Sequence, residues 1–532
     1  METPEPLIIQ ANELFELTEN ESFLFNLLED VLRDSKLNET ELRVAGGWVR
    51  DKLLGEDCND IDIAINNMLG EEFCEKIKEY LLKKGIDVKK AVVIPSNSAK
   101  SKHLETAKMR LFGQWIDFVN LRTEEYGTVN SIPTMSFGSP EKDAERRDLT
   151  INSMFYNIHT GFVENFTRRG ITDLKLGKIV TPLPPKQTFL DDPLRVLRAI
   201  RFGARFDFTF DEDLKKAAAS DEVRDAIAEK ISRERIGLEV DLMIAGNQPV
   251  KAVTYICDLQ LFWTVFTLPS NVDPSTPEAC DRSCLTFIDA AWSLVQSLES
   301  LTLSDDHRRL CLYSAMFLPL RSTTYKDKKK KQPVPVVDHI FRNSLKLKDK
   351  DPETIINVHR VTEKFISIIS LLRSQKDMQH AEATFETTLI NVPESSKLRI
   401  LTGLLLREIK EFWPIALLMS TLVYPYGDLQ ESSAEGINLE KCRELFMLVN
   451  DMIAKQGLEN IWETKPIING NEIMSILNPE GKKVGKWVEK VMQWQLSNPA
   501  GTVNECKEWL EKTGKQLLEE EETGVKRARS FS

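Results

Sequence analysis

Asp60-Ile61-Asp62 places two carboxylates two positions apart. On an extended segment both point to the same face, where they repel unless something neutralises them. A divalent cation held between them does so, and Mg²⁺ takes carboxylate and phosphate oxygens together. Nine residues earlier the run Gly46-Gly47-Trp48-Val49-Arg50-Asp51 ends. Its paired glycines let backbone amides approach an anion with no Cβ in the way. Together the two runs read as a device that holds a metal ion beside a triphosphate. A lone Asp-x-Asp is more often a solvated strand edge, so the flanks carry the argument.

A second cluster is Arg146-Arg147-Asp148-Leu149-Thr150-Ile151-Asn152. Arginine offers a forked pair of donors to phosphate, and aspartate accepts from a hydroxyl such as that of a ribose. The plain alternative is a helix start with charged surface residues. The third cluster is Asp191-Asp192-Pro193-Leu194-Arg195-Val196-Leu197-Arg198-Ala199-Ile200-Arg201-Phe202. Here Asp192 suits an N-cap and Pro193 the first helical position. Leu194, Leu197 and Ile200 make a buried stripe, and Arg195, Arg198, Arg201 and Arg205 a cationic line. A capped helix with an exposed arginine row would need no function. Yet cytosine and adenine both present an exocyclic amine beside a ring-nitrogen acceptor. A carboxylate and a guanidinium one helical turn apart, as Asp192 and Arg195 are, match that pattern. Guanine and uracil set a carbonyl where the amine belongs.

The elements that must position these groups follow from periodicity. Ile61, Ile63 and Ile65 alternate with Asp60, Asp62 and Ala64, and Val44-Ala45 leads into the glycines. This predicts a strand, a glycine turn, a short helix over 49–54 and a second strand. Strand-like runs at 42–45, 60–65, 91–94, 115–121 and 154–158 alternate with helical ones, a small α/β domain over 41–165. Residues 1–40 read as helical. The polar stretch between Pro95 and Gly113, including Ser96-Asn97-Ser98-Ala99-Lys100-Ser101-Lys102-His103, is expected to be a mobile loop. Beyond about residue 185 the pattern is helical, with apolar residues at i, i+3, i+4 over 238–244, 285–298, 401–409 and 484–494. The basic run at 326–333 reads as an exposed loop and 526–530 as a frayed tail.

The chain has 532 residues, 42% hydrophobic and 29% charged, enough for two to four domains of ordinary composition. No apolar run approaches the roughly 18 residues that span a bilayer, so no membrane association is expected. A net charge of −12 argues against indiscriminate nucleic-acid binding but allows a local basic groove. The 8 cysteines are scattered, with only Cys280 and Cys284 close together, and 6 histidines disfavour a histidine-rich metal centre. Reduced thiols point to the cytoplasm or nucleus. The acidic start Met1-Glu2-Thr3-Pro4-Glu5 lacks presequence character, so a mitochondrial pool would need an upstream start.

In order and spacing, Gly-Gly-x-Val-Arg-Asp, Asp-x-Asp, Arg-Arg-Asp and Asp-Asp-x-x-Arg resemble class II tRNA nucleotidyltransferases, the CCA-adding enzymes, in their eukaryotic or fungal branch. Gly170-Ile171-Thr172-Asp173-Leu174 and Ile231-Ser232-Arg233-Glu234-Arg235-Ile236 agree. The likeness spans about 40–245. It implies an α+β protein: a polymerase-β-like nucleotidyltransferase head over 1–165, a neck reading the incoming base over 166–250, and a helical body and tail binding tRNA over 251–532. It implies that Asp60 and Asp62 are catalytic and bind Mg²⁺, with Asp117 as a supporting carboxylate. Gly46, Gly47 and Arg50 would contact the triphosphate, and Arg147, Asp148 and Asn152 the ribose and phosphates. Asp191, Asp192 and Arg195 would read the base, Arg198 would extend the phosphate contacts, and Glu234 and Arg235 would brace the base-reading helix.

The implied reaction is template-independent addition of C and A from CTP and ATP to the 3′ end of tRNA by a monomer. The segment ending His103-Leu104-Glu105-Thr106-Ala107 stands where the family has the flexible loop that helps the switch from C to A. One departure is Asn165, in Val163-Glu164-Asn165-Phe166, where aspartate is frequent. It keeps open a specialist that adds only CC or only the terminal A. A poly(A) polymerase shares the amino-terminal motifs but is markedly more basic. A non-catalytic tRNA-binding descendant would have no physical reason to keep the repelling carboxylate pair.

Overall fold

The alternation around Asp62 produces the strand Ile61–Ile65, with its three isoleucines buried on one face. A computed structural model describes residues 7–10, 14–87, 91–94, 106–125, 134–276, 278–327, 332–374, 378–385, 387, 389, 392–425, 437–479 and 483–516. The chain divides into two compact units, Met1–Thr267 with Ser344–Lys346, and Leu268–Asn343 with Leu347–Ser532.

The first unit opens with β1 (Leu7–Gln10), β2 (Leu42–Ala45), β3 (Ile61–Ile65), β4 (Val92–Ile94), β5 (Thr106–Leu111), β6 (Gln114–Asn120), β7 (Arg122–Glu125), β8 (Thr134–Phe137), β9 (Phe155–Asn157) and β10 (Phe162–Asn165). Eight form a mixed sheet in the order β1-β10-β9-β2-β3-β6-β5-β4, and β7 pairs with β8. Within the large sheet β3 and β6 run parallel, Asp62 beside Asp117, and the other neighbours run antiparallel. Strands expected at 42–45, 60–65, 91–94, 115–121 and 154–158 form within a residue or two. Others were not expected. Residues 1–40 include β1 besides a helix, and part of the expected loop, 106–111, is β5. In β5 buried Ala107, Met109 and Leu111 alternate with Lys108 and Arg110, the period-two pattern of a half-buried strand. The rest of that loop, 95–105, lies outside the described residues, as do 328–331 of the basic run and the tail at 526–530.

The α-helices of this unit are α1 (Glu19–Asp34), α2 (Gly47–Leu53), α3 (Gly70–Lys83), α4 (Pro140–Glu145), α5 (Gly170–Lys175), α6 (Pro185–Asp191), α7 (Leu194–Arg205), α8 (Glu212–Ala218), α9 (Asp221–Lys230), α10 (Arg233–Ala245), α11 (Pro249–Asp258) and α12 (Phe262–Val265). A capping box between Thr18 and Glu21 starts α1. Helix α3 covers the isoleucine face, with Phe73 packed on Phe118 at 5.7 Å between ring centroids. Gly70 permits that approach, since a Cβ there would lie 2.6 Å from the Phe118 carbonyl oxygen. Trp48 of α2 is fully buried against Phe25 and Tyr156, and its Nε1 donates to Glu21 Oε1 at 2.8 Å. On the other side a small cluster of Ala45, Ala64, Leu121, Ala144 and Phe155 forms an apolar floor. Asp62 lies on this side, two residues from Ala64 on β3.

Helix α7 is regular from Leu194, and Asp192 before it is extended at φ −140°, ψ 94°. Pro193 is already helical at φ −61°, ψ −20°, and Asp192 Oδ1 accepts from the Leu194 amide at 3.4 Å. Asp192 therefore takes the N-cap place and Pro193 the first helical one, as the sequence predicts.

The second unit is helical where the periodicity predicts it, at Cys280–Ser297, Glu394–Ile409 and Val484–Ser497. It has one extensive apolar core and a smaller one around Ile468, Trp487, Val491 and Leu510. Three two-residue strands, Val272–Asp273, Thr324–Tyr325 and Val334–Pro335, interrupt the helical pattern. All 8 cysteines are free thiols. Among the described residues no helix is long and apolar enough to cross a membrane.

Candidate active site

Asp60, Asp62 and Asp117 each offer an oxygen, and these oxygens lie within 4.8 Å of one another. Asp60 precedes β3 and is exposed, whereas Asp62 and Asp117 are half-buried cross-strand neighbours. Burial pushes the Asp62 carboxyl up to about 6, helped by Asp60 and Asp117 and opposed by Arg147 and Lys108. Lys108 Nζ lies 2.8 Å from Asp117 Oδ2. Two carboxylates converging on a third and raising its proton affinity are what a hard divalent cation relieves, so this set could hold a metal ion.

Gly46 follows β2 with φ +66°, a conformation that glycine adopts freely. A Cβ there would stand 2.6 Å from Arg147 Nη1 and 3.1 Å from the Asn152 carbonyl oxygen. The glycine thus opens the space that Arg147 fills. Arg147 is held by Asp143 Oδ2 at 2.9 Å and the Asn152 carbonyl at 3.2 Å, and lies over the Phe155 ring at 4.9 Å. Asp143 also accepts from Arg146 and from the Arg122 amide. Burial would raise the Asp143 carboxyl, but Arg147 and Arg146 hold it below its ordinary value. Asp143, not singled out from the sequence, lies on α4 three and four residues before Arg146 and Arg147, a spacing visible in the chain.

Asp148 is the hub behind Arg147. Its Oδ1 accepts from the Leu149 amide at 2.8 Å and from Asn152 Nδ2 at 3.1 Å, and its Oδ2 from Arg198 Nε at 2.7 Å. Burial alone would raise this carboxyl, but Arg198, Asn152 and Arg195 outweigh it and keep Asp148 strongly ionised. Arg50, expected at the triphosphate, is buried instead. It donates to Asp51 at 2.7 Å and to Asn152 Oδ1, and its guanidinium lies 4.8 and 4.9 Å over the rings of Phe202 and Phe206. In this position it braces Asn152 and joins α2 to α7.

The arginine line on α7 is not an idle exposed row, because a partner draws in each member. Arg195 Nη2 donates to the Arg146 carbonyl. Arg198, besides Asp148, lies 3.9 Å from Glu239, and Arg201 pairs with Glu239 at 2.6 Å. Arg205 reaches Glu56 at 3.2 Å. Asp192 Oδ2 stands 3.5 Å from Arg235, a residue expected to brace this helix. Glu234, its expected companion, is exposed. The bracing carboxylate is buried Glu239 on α10, whose partners lie 38 and 41 positions earlier in the chain, a separation that sequence spacing cannot bridge. Asp191, the last residue of α6, is half-buried. Gly47 starts α2, where a Cβ would meet nothing closer than Arg50 at 3.6 Å.

Fold and site define a polymerase-β-like nucleotidyltransferase head with a helical region after it, and residues 42–180 match the family described as Poly A polymerase head domain. The whole chain narrows this further. It is 35% identical to the mitochondrial CCA tRNA nucleotidyltransferase of Saccharomyces cerevisiae, over 92% of each chain. It is 32% identical to tRNA nucleotidyltransferase cca2 of Schizosaccharomyces pombe, over 90% of this chain and 94% of that one. At these levels the chain belongs to the CCA tRNA nucleotidyltransferase family. The Thermotoga maritima CCA-adding enzyme, solved with tRNA, shares the fold at a TM-score of 0.57 and 19% identity, over 94% of this chain and 98% of that one.

Proposed function

We propose that this chain adds C and A nucleotides from CTP and ATP to the 3′ end of tRNA without a template, building or repairing the CCA end. The observation that carries this is the convergence of Asp60, Asp62 and Asp117, with Gly46 just past the end of neighbouring β2 and Arg147 near enough to act on Asp62. Within the proposal Asp60 and Asp62 hold Mg²⁺ with support from Asp117. Bound there, the ion would lower the pKa of the RNA 3′-hydroxyl and offset charge on the phosphates. Arg147 and the backbone at Gly46 and Gly47 meet the triphosphate. Asp148 and Asn152, braced by Arg50 and Arg198, face the ribose. Asp191, Asp192 and Arg195 read the amine edge of cytosine or adenine. The RNA 3′-oxygen bonds to the α-phosphorus as the bond to pyrophosphate breaks, and the hydroxyl proton leaves to solvent. Positioning and charge stabilisation do most of the catalysis.

The division of labour follows the same reading: 1–165 as head, 166–250 as neck, 251–532 as the helical part that clamps tRNA by shape and phosphate contacts. A monomer is part of the proposal, and light scattering in solution tests it. The mitochondrial designation of the Saccharomyces cerevisiae relative favours a mitochondrial pool over the cytoplasm and nucleus expected from the thiols and the acidic start. Fractionation of cells expressing a tagged chain decides the compartment.

The deciding experiment supplies CTP and ATP, singly and together, to transcripts ending before CCA or after CC, and reads product length. Growth by three nucleotides supports the proposal, and long A tails from ATP alone would replace it with poly(A) synthesis. A second reading, a specialist for CC or for the last A, draws on Asn165. This residue is fully buried, its Oδ1 accepts from the Gly170 amide and Thr167 at 3.2 Å each, and its Nδ2 has no hydrogen-bond partner among the described residues. An aspartate would put a second acceptor in that place. Products that stop at CC, or that require a CC end, would favour the specialist.

A further inference from the structure

We propose that Trp115, with Arg110 beside it, is the ledge on which the 3′-terminal nucleotides of the RNA settle before attack. The inference deepens the function proposed above and rests on it.

The sheet order supplies the geometry. Gly46 leaves the end of β2, on one side of β3, and β6, β5 and β4 continue the sheet on the other side. Across them Asp62, Asp117, Lys108 and Val92 are successive cross-strand neighbours. Trp115 lies two residues before Asp117 on β6, hence on the same face, and directly opposite Arg110 of β5. Adjacent strands are about 4.8 Å apart, so the indole stands beside the carboxylates and the guanidinium one strand further out. Gln114 Nε2 donates to the Asn59 carbonyl at 3.2 Å, which ties the start of β6 to the residue before Asp60.

Phosphoryl transfer needs the attacking and leaving oxygens roughly in line through the phosphorus. With the triphosphate on the β2 side at Gly46 and Arg147, the attacking hydroxyl must arrive from the β6–β5 side. There Trp115 is 51% exposed. Arg110 is exposed as well and uses its Nε on the Gly113 carbonyl at 3.2 Å, and Lys108 stands over Asp117. A single exposed aromatic is ordinary on a protein surface. An indole flanked by two cations next to three converging carboxylates combines the base-stacking and backbone-attracting groups used to hold single-stranded nucleic acid.

The test is steady-state kinetics on a tRNA transcript ending at the nucleotide before CCA, with CTP. Trp115→Ala is expected to raise KM for the transcript on the order of tenfold, the scale of one lost base stack, with KM for CTP unchanged. Trp115→Phe should recover most of the loss. Arg110→Ala should reduce the salt dependence of the transcript KM by about one unit of log–log slope. An unchanged transcript KM in Trp115→Ala, or an equal rise in both KM values, overturns the ledge. So does equal impairment of the Ala and Phe variants with a lowered melting temperature, because that marks a structural role. The two proposals fail separately: a wild-type protein that adds nothing to the transcript refutes the function, and an active wild type with an unaffected Trp115→Ala refutes only the ledge.

Discussion

Arg198 Nε donates to Asp148 Oδ2 at 2.7 Å across 50 residues of sequence. This bond couples the segment after α4 to the helix that carries Arg195. The bond therefore ties Asp148, proposed to face the ribose, to the helix of Arg195, proposed to read the base.

Removing the hub should cost stability as well as activity. Asp148→Ala leaves Arg198, Asn152 and the Leu149 amide without their acceptor, at a cost on the order of 2–4 kcal/mol. It is expected to lower the denaturation midpoint and abolish incorporation. The pH dependence has a definite sign. The folded state holds this carboxyl below its unfolded value, so its contribution is present above about pH 4 and is lost as pH falls below that. The stability gap between parent and Asp148→Asn should be full at pH 7 and shrink steadily toward pH 2.

The carboxylate set makes a prediction opposite in sign. Asp60→Ala or Asp62→Ala should abolish incorporation while tRNA binding, measured by filter retention, persists; wild-type turnover in either variant would refute the metal assignment. Asp62 is raised to about 6 when folded, so its ionisation opposes folding as pH rises through 6. Metal-free Asp62→Asn should be more stable than the parent at pH 8, by roughly 1–3 kcal/mol, and no more stable at pH 4. Added Mg²⁺ should raise the melting temperature of the parent but not of this variant.

At Gly46 the backbone and the space agree. Alanine there would adopt φ +66° and press its Cβ within 2.6 Å of Arg147 Nη1. Gly46→Ala is expected to cost about 1–3 kcal/mol and to displace Arg147. Its signature should be weaker binding of both CTP and ATP. An unaltered KM for both nucleotides would separate Gly46 from the phosphate site.

Base choice should depend on Arg195. Arg195→Ala is expected to relax discrimination against UTP, by at least tenfold in the ratio of kcat/KM values, with the fold intact. Arg235→Ala only frees Asp192 from a neighbour 3.5 Å away and should have a smaller effect in the same direction. Unchanged selectivity in Arg195→Ala would remove it from the base-reading pair.

Much of this was legible in the order of residues. The strand at Ile61–Ile65 follows from the isoleucine alternation, because a period of two puts every apolar side chain on one face. Helix α7 follows from Leu194, Leu197 and Ile200, and its start from extended Asp192 followed by helical Pro193. What could not be read is the set of partners. Asp117 was expected near the metal only through family likeness, and its place beside Asp62 depends on β3 and β6 pairing in parallel, across 55 positions of chain. Arg50 was expected at the triphosphate through family likeness alone. The rings of Phe202 and Phe206 enclose it, and nothing at positions 46–51 announces them.

By itself the sequence determined the chemistry available and the local elements that carry it: paired carboxylates on a strand, glycines where a Cβ would obstruct, arginines and aspartates around a helix start. These depend on side-chain type and on backbone periods of two and 3.6, which are properties of short segments. Tertiary structure alone decided which distant charges meet. It paired Asp148 with Arg198 and Glu239 with Arg201, residues 50 and 38 positions apart. Coulomb energy depends on distance through space and on burial, and both are set only when the sheet and helices pack.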